Sequence, residues 1–175
     1  MSRELWDIYS ANGEKLGKKA VRGKSVLKNG EYHLVVHIWV VSSKGDYLIQ
    51  KRSESKKLMP GEWAATGGAA IAGENDFAAA KRELKEELGI ESDEQTLKKI
   101  FELKRRNSFL SVFCIKKDVD ENELTLQKSE VDRVKWVDED TLKDMIKNGK
   151  YHNYGEEYFN NLFSAVKDFS AAYAK

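Results

Sequence analysis

The sequence predicts an α/β or α+β fold in which helices cover a mixed β-sheet. Segments rich in β-branched and aromatic residues alternate along the chain with segments whose apolar residues recur at helical spacing. The chain has 175 residues, a single proline and no low-complexity tract. We therefore expect one domain that spans residues 1–175.

An N-terminal β-hairpin is predicted as an extension over residues 1–30. Residues 5–9 alternate in character, the Asn12-Gly13 pair supplies a turn, and residues 14–21 return. Two placements stay open, because the hairpin either pairs with a second copy in a homodimer or lies along its own domain.

Strands of a larger sheet are predicted where β-branched and aromatic residues cluster. They cover residues 32–41, 47–52, 97–104, 108–116 and 133–137. The chain between the second and third of these begins with a polar loop, 53–63, and a stretch of small residues, 64–72.

Helices are predicted in three places from apolar periodicity and end signals. The first covers residues 75–88 and ends at Gly89, and the second covers 139–147 with Asp138 as its N-cap. The third covers 156–174, where an apolar stripe at helical spacing predicts packing on a sheet. The stripe comprises Phe159, Leu162, Phe163, Val166, Phe169 and Tyr173.

Composition narrows the class of partner. Thirty basic residues nearly balance 29 acidic ones, and the net charge of +1 gives no reason to expect nucleic acid or an anionic membrane. No signal peptide begins the sequence, and its longest near-apolar run, 34–41, is too short to span a bilayer. Cys114 is the only cysteine, which excludes an intrachain disulfide. These features favour the cytoplasm.

The segment 68–90 concentrates acidic side chains. Glu83, Glu86 and Glu87 fall within an arc of about 100° on one face of the predicted helix. Like charges at this spacing repel, so a bound cation such as Mg²⁺ would stabilise them, and Arg82 lies close enough to orient one of them. Taken alone, the acidic run is typical of a solvated surface helix.

The spacing of residues over the whole segment 68–90 is more specific than the acidic run alone. It runs Gly, five residues, Glu, seven residues, then Arg-Glu-Leu-x-Glu-Glu-x-Gly-Ile. This pattern resembles the signature, or box, of the Nudix hydrolase family at every defined position: Gly68, Glu74, Arg82, Glu83, Leu84, Glu86, Glu87, Gly89 and Ile90. The resemblance implies an α/β/α sandwich in which residues 68–90 form a loop, a helix and a loop.

The resemblance also implies a divalent-metal site and a reaction. The proposed ligands are Glu83, Glu86, Glu87 and the carbonyl of Gly68, with Mg²⁺ as the metal and Mn²⁺ as a substitute. Water would attack phosphorus and break a phosphoric anhydride. Family members differ in which residue acts as the base, so the base stays open.

Three further residues receive roles by the same resemblance. Arg82 would steer a carboxylate and Glu74 would lie near the ions. Glu130 resembles a late acidic residue that some family members use in catalysis; an exposed loop carboxylate is the alternative.

Residues upstream of the box resemble the isopentenyl-diphosphate isomerase branch of the same superfamily. They are 33–39, 48–53, Lys57 and 60–63. The isomerases use a cysteine shortly after the last of these segments, where this chain has only Ala, Thr and Gly at 64–68. We therefore favour a hydrolase. An isomerase is the first alternative, and a non-catalytic nucleotide-binding module is the second.

The predicted substrate is a nucleoside diphosphate or a related small diphosphate. Its phosphate oxygens would contact Arg52, Lys56 and Lys57, with Arg105 and Arg106 as second choices. The loops 51–63 and 105–108 would select the substrate. His33 and His37 share one strand face and could pair as ligands, but packed, hydrogen-bonded roles are favoured.

Overall fold

The computed structural model describes residues 4–172, and its strands and helices alternate largely as the sequence predicts. Its strands are β1 (Leu5–Tyr9), β2 (Lys15–Val21), β3 (His33–Val41), β4 (Tyr47–Arg52), β5 (Trp63–Ala64), β6 (Thr66–Ala69), β7 (Leu97–Lys104), β8 (Ser108–Lys116) and β9 (Val131–Val137). Its helices are α1 (Asp76–Leu88), α2 (Glu139–Lys147) and α3 (Glu156–Ala172).

The central sheet has seven strands and mixed directions. The main path runs β5-β4-β3-β8-β7, with β6 also paired to β3 and β9 to β4. Strand β3 lies parallel to β8 and antiparallel to β4 and β6. Helices cover both faces, which confirms the predicted α/β/α sandwich.

Helix α1 packs on one face of the sheet. Asn75 caps its first turn by accepting from the Ala78 amide, and Gly89 ends it in the left-handed region at φ 71°. Its buried Leu84 and Leu88 join a core with residues of β3 and β8. The opposite side of the helix is left for charged residues.

Helices α2 and α3 pack on the other face. Five aromatic and aliphatic side chains of α3 are buried there: Tyr158, Phe159, Leu162, Val166 and Phe169. This confirms the predicted apolar stripe as far as residue 172, while Tyr173 and the predicted end at 174 lie outside the described residues. No helix in the described range 4–172 is both long and apolar enough to cross a bilayer.

Two short strands that the sequence did not predict, β5 and β6, form where the polar loop meets the small-residue stretch. Glycine and alanine have low strand propensity, so the strands depend on pairing with their neighbours. At Gly67, φ is 148°, and a Cβ would lie 2.1 Å from the carbonyl oxygen of Val36. Only glycine allows β6 to approach β3 this closely. Strand β9 also begins two residues earlier than predicted, at Val131.

The predicted N-terminal hairpin forms as β1 and β2 and lies along its own domain, while residues 1–3 of the predicted extension lie outside the described residues. The Tyr9 amide donates to the Tyr32 carbonyl at 2.8 Å, and the Ala72 amide donates to the Leu5 carbonyl at 2.7 Å. The Asp7 carboxylate accepts from the Gly73 amide at 2.9 Å. The hairpin is therefore attached to the loop that precedes α1. A homodimer stays a prediction.

Candidate active site

Two adjoining cavities open beside α1. The first, here called the acidic cavity, has a volume of about 590 Å³ and is lined by Glu83, Glu86 and Glu87. The second, here called the basic cavity, has a volume of about 880 Å³ and its lining includes Lys57 and Arg105. Both cavities share six lining residues: Arg22, Arg52, Lys56, Gly67, Gly68 and Glu130.

The three predicted carboxylates of α1 line the same cavity but differ in burial. The residue Glu87 is only 2% exposed, and the side chains of Glu83 and Glu86 are 12% and 51% exposed. Glu87 accepts hydrogen bonds from the Gln50 side chain at 3.0 Å and from the Gly67 amide at 3.1 Å. Glu87 is therefore fixed by two neutral donors.

Arg82 links the remaining acidic residues of the box. Its Nε and Nη2 donate to the two carboxylate oxygens of Glu74 at 2.7 and 3.0 Å. Its Nη1 donates to Glu83 at 2.8 Å and to Glu86 at 3.1 Å. The structure thus brings Glu74 and Arg82 together with two of the three predicted ligands, and the forked guanidinium fixes their orientation.

Burial in the acidic cavity disfavours the ionised form of two carboxylates. It raises the pKa of Glu83 despite the nearby Arg82 guanidinium. Burial, together with the charge of Glu83, raises the pKa of Glu87 to about 8, and the hydrogen bonds from Gln50 and Gly67 offset this only in part. The donors present do not balance the negative charge of these carboxylates.

These residues fit a hard divalent cation chemically, although the ligand set is not assembled. No three acidic, imidazole or thiol groups of residues 4–172 converge as a cation site. Arg82 donates to Glu83 and Glu86, and Glu87 is bonded to Gln50. The donors are nonetheless all oxygen atoms, which Mg²⁺ prefers. A Cβ on Gly68 would lie 2.4 Å from Glu83 Oε1, so glycine leaves room for that carboxylate beside the backbone.

All of the predicted substrate residues except Arg106 lie where the two cavities meet or in the basic cavity. Arg52 is 9% exposed and its Nε donates to the Leu58 carbonyl at 3.2 Å. Lys56 is paired with Glu130, and Lys57 is an exposed residue of the wall. Arg105 lines the basic cavity, whereas Arg106 is exposed and lines neither cavity.

The two histidines of β3 have separate partners and do not form a ligand pair. The His33 ring stacks on Trp6 with centroids 4.1 Å apart, and burial lowers its pKa to about 4. The Nδ1 atom of His37 lies 3.0 Å from the Tyr158 hydroxyl, and burial lowers its pKa to about 3. Both rings are therefore neutral near pH 7.

Several residues of the site were missed by the sequence prediction. Gln50 stands two residues before Arg52, and side chains two residues apart on a strand lie on the same face. This alternation could have identified Gln50 as a residue of the site. Trp6 and Arg22 reach the cavities from the hairpin, and Tyr154 reaches them from the segment before α3. No sequence spacing connects these three residues to the box, because tertiary packing brings them together.

The only cysteine is in the core. Cys114 lies on β8 with no exposed surface, and burial raises the pKa of its thiol. It lines neither cavity, so no cysteine of this chain is available for the proton transfer that the isomerase alternative requires.

Comparison with known proteins gives the family. The family model of the NUDIX domain matches residues 31–155. A protein named as an uncharacterized Nudix hydrolase of Listeria monocytogenes is 37% identical over 162 residues, which cover 92% of this chain and 94% of that protein. Nudix hydrolase 3 of Arabidopsis thaliana is 32% identical over 83% of this chain, which spans 21% of that longer protein.

Solved structures agree on the fold. A crystal structure of a Deinococcus radiodurans protein matches with a TM-score of 0.75 at 24% identity, covering 94% of this chain and 98% of that one. The NUDIX domain of Shewanella oneidensis NrtR, solved with ADP-ribose, matches with a TM-score of 0.53 at 16% identity, covering 65% of this chain and 77% of that one. The chain therefore belongs to the Nudix family and is a hydrolase that acts on pyrophosphate bonds.

Proposed function

We propose that this chain is a magnesium-dependent hydrolase of a nucleoside diphosphate or a related small diphosphate. Water attacks phosphorus and the diphosphate linkage breaks. One observation carries the proposal: the buried carboxylates of Glu83 and Glu87 adjoin a cavity with Arg52 and Arg105 in its wall. A surface suited to a divalent cation thus lies beside one suited to phosphate oxygens.

Nudix hydrolases generally need a divalent metal ion. The proposed donors in this chain are the carboxylates of Glu83, Glu86 and Glu87 and the carbonyl oxygen of Gly68. Mg²⁺ suits a set made only of oxygen atoms, and Mn²⁺ is the expected substitute. When bound, the ion supplies positive charge that stabilises negative charge developing on the phosphate oxygens.

The other residues bind and orient. Arg82 holds the carboxylates of Glu83 and Glu86 in place through one nitrogen, so we propose that it positions the ligands. Arg52 and Lys57 would donate to phosphate oxygens of the substrate, as would Lys56 after exchanging its partner Glu130. Glu130 lines both cavities, so it stays a candidate for catalysis.

The organic part of the substrate would occupy the basic cavity. Its wall includes the aromatic rings of Trp6, His33 and Tyr154, which offer flat apolar surface to a nucleobase. The ADP-ribose bound by the NrtR domain supports a nucleotide of this general kind.

The test is a hydrolysis assay with Mg²⁺ over a panel of nucleoside diphosphates and other small diphosphates. We expect Glu87→Gln to lower the rate at least about a hundredfold, as removal of one group that stabilises a transition state commonly does. Glu94→Gln is the matched control, because it makes the same change at an exposed residue outside both cavities. Folded wild-type protein that hydrolyses no diphosphate would refute the proposal.

A further inference from the structure

Two hydrogen-bond donors in the wall of the basic cavity have no hydrogen-bond partner among residues 4–172, and both lie beside the Tyr154 ring. Arg105 makes no side-chain hydrogen bond or ion pair with residues 4–172, although it is half-buried. Its guanidinium carbon lies 5.8 Å from the centroid of the Tyr154 ring. The His37 ring centroid lies 4.6 Å from the same ring. Both side chains line the basic cavity beside this ring, and after burial the charge of Arg105 is the next largest cause of the lowered pKa of His37.

The buried neighbours of His37 decide which of its nitrogen atoms carries hydrogen. Trp39 Nε1, which can only donate, lies 2.9 Å from the Tyr158 hydroxyl. The hydroxyl oxygen therefore accepts from Trp39, and its own hydrogen needs an acceptor in a buried environment. His37 Nδ1, at 3.0 Å, is the acceptor available.

This arrangement leaves the hydrogen of His37 on Nε2. The opposite tautomer would give Tyr158 two donors and leave its hydroxyl hydrogen unpaired inside the core, at a cost in free energy. His37 is 8% exposed and lines the basic cavity. Its Nε2 has no protein partner and is not one of the fully enclosed orphan atoms within residues 4–172, so it is accessible from the cavity.

We propose that His37 Nε2–H and the Arg105 guanidinium together bind an anionic oxygen group, a carboxylate or a phosphate, on the organic part of the substrate. Trp39 and Tyr158 are positioning residues that hold the required tautomer of His37. The inference rests on the proposed diphosphate hydrolysis and adds to the substrate a second anionic group, distinct from the diphosphate. A cation with no carboxylate partner and a neutral donor together suit an anion.

Linear alkyl diphosphates of increasing length test the proposal. Three series share the diphosphate and differ at the far end, which is a methyl, a carboxylate or a phosphate group. We expect wild-type protein with Mg²⁺ to favour one of the anionic series over the methyl series by at least about tenfold in kcat/KM, mainly through KM. Whichever series is preferred identifies the anion.

Substitutions at Arg105 and His37 test whether these residues cause the preference for an anionic series. Arg105→Gln and His37→Leu should each remove most of the preference, whereas His37→Gln should keep part of it because its amide can still donate. Arg106→Gln is the matched control, since Arg106 is exposed outside both cavities. Equal turnover of all three series by wild-type protein would overturn the inference and leave the proposed function intact. No turnover of any diphosphate would instead defeat the proposed function.

Two measurements do not depend on turnover. Calorimetric titration with the matching non-hydrolysable methylenediphosphonates should show the same tenfold preference in Kd, and equal affinities would contradict the inference. Long-range ¹H–¹⁵N NMR of the whole chain labelled at histidine should show hydrogen on Nε2 of His37. Hydrogen on Nδ1 would refute the positioning role.

The variant Tyr158→Phe tests the positioning role by kinetics. It should allow His37 to adopt either tautomer and weaken the preference for the anionic series, while the diphosphate is still hydrolysed.

Discussion

The acidic and basic cavities adjoin, but they differ in whether protein groups pair with their charged side chains. In the acidic cavity, protein groups donate hydrogen bonds to the carboxylates. Arg82 donates to Glu83 and Glu86, and Gln50 donates to Glu87. In the basic cavity Arg105 has no carboxylate partner within residues 4–172. The first surface holds its carboxylates in a fixed arrangement, and the second leaves the positive charge of Arg105 available.

The difference suggests a division of labour. A set of carboxylates fixed by hydrogen bonds suits a task at the reacting centre, where orientation governs the rate. Unpaired cations suit the recognition of anionic groups that the substrate brings. We therefore expect changes in the acidic cavity to act on kcat and on stability, and changes in the basic cavity to act on KM.

The largest expected effect is the pH dependence of stability that Glu87 imposes on metal-free protein. Its pKa is raised from 4.5 to about 8, so between these values the folded state keeps a proton that the unfolded state has lost. The free energy of unfolding should then fall as pH rises from about 4.5 to about 8, by roughly 3 to 5 kcal/mol. Below this window both states are protonated, and above it both are ionised.

Urea denaturation across this pH range measures the effect. Glu87→Gln should remove most of the slope and make metal-free protein more stable near pH 8, whereas the control Glu94→Gln should keep the slope. An unchanged slope in Glu87→Gln would mean that Glu87 does not cause the pH dependence of the free energy of unfolding. Saturating Mg²⁺ should also flatten the wild-type slope.

The next effect concerns Arg82. Arg82→Met removes the guanidinium shared by Glu74, Glu83 and Glu86 while keeping a long apolar stem. Loss of a group that orients ligands typically costs about 10- to 100-fold, and we expect this loss in kcat or in the Mg²⁺ concentration required. Lys85→Met is the control, because Lys85 is exposed on the same helix and pairs with Glu91. Equal kinetics in both variants would show that orientation by Arg82 is unimportant.

The smallest effect is expected at the shared wall. Arg52→Gln removes a cation that lines both cavities, and we expect KM for a small diphosphate to rise about tenfold with kcat changed little. Steady-state kinetics at saturating Mg²⁺ separate the two constants. A fall in kcat with unchanged KM would place Arg52 with the reacting centre and break the division proposed above.

The acidic cavity was predictable because its determinants are local. The spacing of the box fixes which residues share a face of α1, and Asn75 and Gly89 mark its ends. Helical periodicity fixes the direction of each Cβ but not the direction of the carboxylate. The sequence therefore did not reveal that Glu86 is half exposed and bonded to Arg82, or that Glu87 turns to Gln50.

The basic cavity was predictable only in part. Arg52, Lys56, Lys57 and Arg105 were candidates because cations near a phosphate site are chemically expected. The position of Tyr154 beside His37, and the hydrogen bond between His37 and Tyr158, join residues more than a hundred positions apart. Local patterns carry no signal for such pairs, because the packing of α3 against β3 and β8 creates them.

Attachment of the hairpin and of α3 to the site has a practical consequence for work with shortened proteins. The span shared with the wider family, 31–155, ends before Tyr158 and begins after Trp6. A fragment cut to that span would lose the stacking partner of His33 and the hydroxyl that orders His37, and it would expose the apolar surface that α3 covers. Such a fragment would keep the whole box and still misreport which compounds the intact enzyme accepts.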